Sequence, residues 1–90
     1  MITITHRQTG THHTLSVRGH ASKDASDVCI GVSTLVTHLA LNLPDGSFAS
    51  LESGDTLLSW DGCDALFLPV AHTLRAFANE FKQEISYRND

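Results

Sequence analysis

Across Gly19-His20-Ala21-Ser22-Lys23-Asp24-Ala25-Ser26-Asp27-Val28-Cys29-Ile30-Gly31-Val32-Ser33 the spacing of apolar residues changes from every second position to every third or fourth. Before this stretch, Leu15 and Val17 alternate with Thr14, Ser16 and Arg18, as in a strand with one buried face. After it, Val28, Val32, Leu35, Val36, Leu39 and Leu43 make one helical stripe, closed by Asn42, Pro44, Asp45 and Gly46. Asp24, Ser26 and Asp27 are its candidate N-caps. The junction therefore predicts a strand that ends at a histidine, a loop of small and polar residues, and a helix with a cysteine in its first turn.

That placement has chemical content. Unpaired backbone N–H groups at a helix start carry partial positive charge, which favours a thiolate over a thiol. A histidine nearby completes the pairing of a nucleophile with its base. Residues 21–28, if extended, reach up to about 28 Å, so the His20 ring can come to the Cys29 sulfur.

Working outward, Ile2-Thr3-Ile4-Thr5 alternates as a first strand, and Gln8-Thr9-Gly10-Thr11 supplies the turn into the second. Pairing the two as a hairpin puts Ile2, Ile4, Leu15 and Val17 on the buried side. Downstream, 47–51 and 56–60 read as a second hairpin about Glu52-Ser53-Gly54-Asp55, ended by Asp61-Gly62. Leu66, Val70, Leu74, Phe77 and Phe81 stripe a second helix. Proline suits the first turn of a helix, so Pro69 predicts that its regular part begins near Leu68. Residues 84–88 make a last short strand. The order ββαββαβ implies an α+β fold, one domain over 1–90 with a mostly antiparallel sheet and two helices. Trp60, Phe67, Phe77 and Phe81 are expected in the core or between two copies of the chain.

Bulk properties narrow the function. Ninety residues allow one small core, and 41% hydrophobic with 18% charged residues is ordinary for a globular chain. The net charge of −4 argues against a nucleic-acid partner, which needs clustered Lys and Arg. Residues 1–23 hold Arg7, Arg18, Lys23 and four of the six histidines and no acid, whereas 45–64 hold only acids. This asymmetry predicts two different surfaces, one of them a solvated acidic face. Two cysteines, Cys29 and Cys63, make no disulfide framework and predict free thiols in a cytoplasmic chain. The longest apolar stretch is broken by Ser33, Thr34, Thr37 and His38, so no membrane span is expected. Adjacent strand residues point to opposite faces, so His12 and His13 cannot share an ion, and His6, His12 and His13 read as surface histidines. No metal and no cofactor are expected.

Gly19-His20-Ala21 and Val28-Cys29-Ile30-Gly31-Val32-Ser33 together resemble the ribosomal-processing cysteine protease family, often called Prp. Its members show Gly-His-Ala at a strand end, a mobile loop, and then a helix start of the form Asp-x-Val-Cys-Ala-x-Val-Ser. The resemblance implies a cytosolic homodimeric endopeptidase without a cofactor, with Cys29 as nucleophile and His20 as general base. The implied substrate is the N-terminal extension of a large-subunit ribosomal protein, or a virion protein for relatives encoded by phages. Ser33 holds the place of a serine at the family's active site, and Gly19 and Ala21 flank the base. Asp27 is a candidate either to orient His20 or to cap the helix. The loop between His20 and Cys29 is shorter than in typical members, and Ser26 stands where they have an aspartate. Those departures are the ground for the alternative reading, a non-catalytic protein-binding module of the same fold that recognises a ribosomal or virion partner. The loop over 21–27 is expected to be mobile and to order on substrate.

Overall fold

The computed structural model describes all of residues 1–90. Strands β1 (Ile2–Thr9) and β2 (His12–Arg18) form the first hairpin, with Ile4 opposite Val17 and His6 opposite Leu15. Helix α1 (Ser26–Leu41) follows, then the hairpin of β3 (Phe48–Glu52) and β4 (Asp55–Asp61), helix α2 (Asp64–Glu80) and β5 (Ile85–Asn89). The five strands lie in the order β3-β4-β2-β1-β5, and every neighbouring pair is antiparallel except β1 with β5. This is the α+β arrangement expected from the alternation of periods.

Both helices lay their apolar stripes on one face of the sheet. Val28, Val32, Val36 and Leu39 of α1 and Phe67, Val70, Ala71 and Leu74 of α2 close over Ile2, Ile4, Leu15, Leu58, Trp60 and Ile85 in a single cluster. Gly31 lets the helices meet, since a Cβ there would stand 3.0 Å from Cε2 of Phe77. Val17, Leu35 and Leu43 reach only the margin of the core, where they are half-buried. Phe81, expected in the core or between two copies of the chain, is 38% exposed at the end of α2, outside the core.

Four expectations need correction. No side chain caps α1: a 3₁₀ turn over Lys23–Ala25 runs straight into it, and Ser26 is already helical at φ −62°, ψ −28°. Within that turn the Ala25 N–H donates to the Ser22 carbonyl at 2.9 Å, an i→i+3 bond, and the chain passes directly to a helical Ser26. Helix α2 begins at Asp64 rather than near Leu68, so Pro69 sits inside it. The missing N–H would have bonded the carbonyl of Ala65, which is exposed and open to water. Third, His6 and His13 are buried, at 9% and 3% exposure, because they share the inner face with Ile4 and Leu15. Only His12 faces out. Finally, the acidic segment is no separate face. Arg18 and Asp55 are cross-strand partners joined at 3.5 Å, and His12 and Asp61 likewise at 3.1 Å. His13 bonds Asp64 at 3.0 Å, so three of the five acids of 45–64 stand beside basic groups of 1–23, two of them across strands.

Candidate active site

The site forms where β2 hands the chain to α1. Gly19 turns the backbone at φ +90°, a conformation that suits glycine, and a Cβ there would collide with the Met1 carbonyl. The Gly19 N–H donates to the carbonyl of Gly54 at 3.0 Å, which ties the end of β2 to the β3–β4 turn. The Met1 ammonium donates to the His20 carbonyl at 2.8 Å. So anchored, His20 lays its imidazole over Gly54, where a Cβ would overlap Nε2 and lie 2.9 Å from Cε1.

Cys29 approaches from the other side. It is the fourth residue of α1, half-buried, and its Sγ accepts the N–H of Ala21 at 3.1 Å. A hydrogen bond from a backbone amide stabilises sulfur most when it carries negative charge. A helix begun at Ser26 directs the Cys29 N–H back to the Ala25 carbonyl, so the open N–H groups belong to the three residues before it, Val28 included.

His20, Cys29 and Ser33 line one cleft of about 190 Å³, with Glu52, Gly54 and Asp55 across from them. No hydrogen bond joins His20 to Cys29: the ring rests on the β3–β4 turn, and Ala21 engages the sulfur. Ser33, exposed and one turn beyond Cys29, also borders a shallow groove along α1 with Ile30, Thr34 and Leu41. Asp24 and Asp27 are exposed and make no side-chain hydrogen bond or ion pair, so neither orients His20 here. Gly19 and Ala21 act through the backbone, one by its conformation and one by its N–H.

Two contributors have no signal in the sequence pattern. Gly54 supplies the floor under His20, and only the β2–β4 register that sets Arg18 opposite Asp55 brings it there. Glu84 accepts both the N–H and the Oγ–H of Ser22 at 2.8 Å, from a position 62 residues away in the chain. Those two hydrogen bonds, backbone first, hold its carboxyl below the usual carboxylate range, with a smaller contribution from the Met1 ammonium.

A second polar cluster lies apart from this cleft. His6 Nδ1 meets Asn89 Oδ1 at 3.2 Å, His6 Nε2 meets His13 Nδ1 at 2.9 Å, and His13 Nε2 meets Asp64 Oδ1 at 3.0 Å. Every ring nitrogen in that chain already has a partner. No three His, Cys, Asp or Glu side chains converge as metal ligands.

No family model matches the chain, and no curated protein matches it. Solved structures do. The essential ribosomal processing protease Prp from S. aureus, in complex with a covalently linked product peptide, superposes with a TM-score of 0.81 at 16% identity over 100% of both chains. The same protease with a substrate peptide gives 0.80 at 13% identity, again over 100% of both chains. SMU.848 from Streptococcus mutans gives 0.71 at 18% identity, covering 99% of this chain and 93% of that one. The fold is therefore shared along nearly the whole chain, by proteins whose sequences differ widely.

Proposed function

We propose that this chain is a cysteine endopeptidase that removes a short N-terminal extension from a large-subunit ribosomal protein, with Cys29 as nucleophile and His20 as base. The observation that carries the reading is the convergence of His20 and Cys29 on one open cleft, at the junction where the sequence resembles the Prp pattern. Its fold is that of a ribosomal processing protease captured with a product peptide covalently linked.

The chemistry follows from the groups present. The Cys29 thiolate attacks the scissile carbonyl, forming a C–S bond, and the carbonyl oxygen takes the negative charge. Backbone N–H groups in the first turn of α1, Val28's among them, supply fixed dipoles for that oxyanion. His20, as imidazolium, gives its proton to the departing amine as the C–N bond breaks. Water then attacks the thioester, His20 takes the proton, and the acid and free thiolate leave. Ser33, on the cleft wall, is placed to hydrogen-bond the peptide. The reading carries with it a homodimer, a cytoplasmic setting and no cofactor.

The test is to incubate the purified protein with a ribosomal protein precursor and, separately, a phage virion protein, and to follow substrate mass. One defined N-terminal cut in the ribosomal precursor is expected, and Cys29→Ala and His20→Ala should each slow it by about 10³-fold or more. A cut confined to the virion protein would transfer the substrate assignment. No cut in either, with Cys29 and Cys63 alkylated equally slowly by iodoacetamide, would leave the binding module instead.

A further inference from the structure

We propose that Glu84 is a positioning residue for the Cys29 site: through its two hydrogen bonds to Ser22 it holds the start of the 21–27 loop so that the Ala21 N–H points at Cys29 Sγ. This rests on reading Cys29 as the reactive thiol, and its test needs no peptide substrate.

The anchor is fixed at its own end. The Glu84 N–H donates to the Phe81 carbonyl at 2.9 Å, and its carbonyl accepts the N–H of Ile2 at 2.7 Å, so the carboxylate projects from backbone pinned between α2 and β1. The loop has little else to hold it. Ser22, Lys23, Asp24, Ser26 and Asp27 are exposed, and of their side chains only Ser22 makes a hydrogen bond. Ala21 and Ala25 touch the core margin, but methyl groups give no direction to a neighbouring N–H. Ser22 immediately follows Ala21, so clamping the Ser22 N–H and Oγ fixes the Ala21–Ser22 peptide plane, while the plane that carries the Ala21 N–H is held by the Met1 ammonium at the His20 carbonyl; the two clamps together set the backbone of Ala21 and aim its amide. Without the Glu84 clamp only the Met1 bond steadies Ala21, and the one hydrogen bond the sulfur accepts weakens. The loop read from sequence as mobile is thus strapped at one end by a single carboxylate.

The experiment is the rate of iodoacetamide alkylation at Cys29, read by mass spectrometry from about pH 5 to about pH 9, the span over which cysteine thiols ionise. In Glu84→Ala the rise in rate should move to higher pH by about 0.5–1 unit, a 3- to 10-fold slower reaction on the acid side, with the alkaline plateau unchanged. Glu84→Gln keeps an oxygen acceptor and should recover most of the difference. Ser22→Ala, at an exposed position that retains the backbone bond, should fall between and serves if Glu84→Ala does not fold. Loosening alone would scale the rate by one factor at every pH. Either that uniform scaling or a profile identical to the unsubstituted protein overturns the proposal. A shifted profile in a protein that cuts no precursor would sink the peptidase reading and keep this one; cutting with no shift would do the reverse.

Discussion

Gly54 has room for a hydrogen and nothing larger, because the His20 imidazole lies across it. It also sits at φ +74°, where a β-carbon is strained. Gly54→Ala therefore has two effects of separable size. The backbone strain costs about 1 kcal/mol, a fall in Tm of about 4–8 °C for a domain of this length. The collision forces the ring off its seat, and precursor cleavage should drop by about tenfold or more, beyond what the lost stability explains at a temperature where the variant is folded. A variant with the lower Tm and undiminished cleavage would show that His20 does not act from this position. His20 and Cys29, the proposed base and nucleophile, were legible in the chain because a strand-end histidine and a helix-start cysteine are local patterns. Gly54 and Glu84 were not, since each reaches the site through a pairing between distant segments that no local period encodes.

At the scale of the elements, apolar spacing located every strand and both helices, and the errors fell at the ends, where polar and backbone effects decide. Helix α1 starts without a capping side chain because a 3₁₀ turn leads directly into it, a choice that several serines and aspartates in a row leave open. Helix α2 begins before its proline because burial of Phe67, in its first turns, outweighs the local cost. That cost is recoverable. Pro69 is exposed, so replacing it removes a carbonyl clash and restores the bond to Ala65 without disturbing the core. Pro69→Ala should raise stability by about 1–3 kcal/mol in urea unfolding. An unchanged or lower midpoint would mean that the proline sets where α2 begins.

For the whole molecule, the parts joined least visibly by sequence are β1, β2, β5 and α2, and the Asn89–His6–His13–Asp64 chain joins all of them. Alternation already sets His6 beside Ile2 and Ile4 and His13 beside Leu15 and Val17, and the expectation of surface histidines overrode it; only the register reveals that the two share one bond. That bond holds one proton between two nitrogens 2.9 Å apart, and a second proton would set two N–H groups against each other. Burial pushes the His6 imidazole below its ordinary value of 6.5, with His13 and Arg75 adding to the shift and the Asn89 hydrogen bond opposing it. The sign follows. As pH falls through about 6.5 the unfolded chain takes up a proton on His6 that the folded chain refuses, so acidification favours unfolding well above the carboxylate range. The urea midpoint should therefore fall from about pH 7 to about pH 5.5 at constant m, and His6→Leu should flatten that slope whatever it does to the absolute midpoint. A midpoint that holds or rises on acidification would mean that the histidine pair accepts its second proton without strain, and that the four elements are held together by the apolar cluster alone.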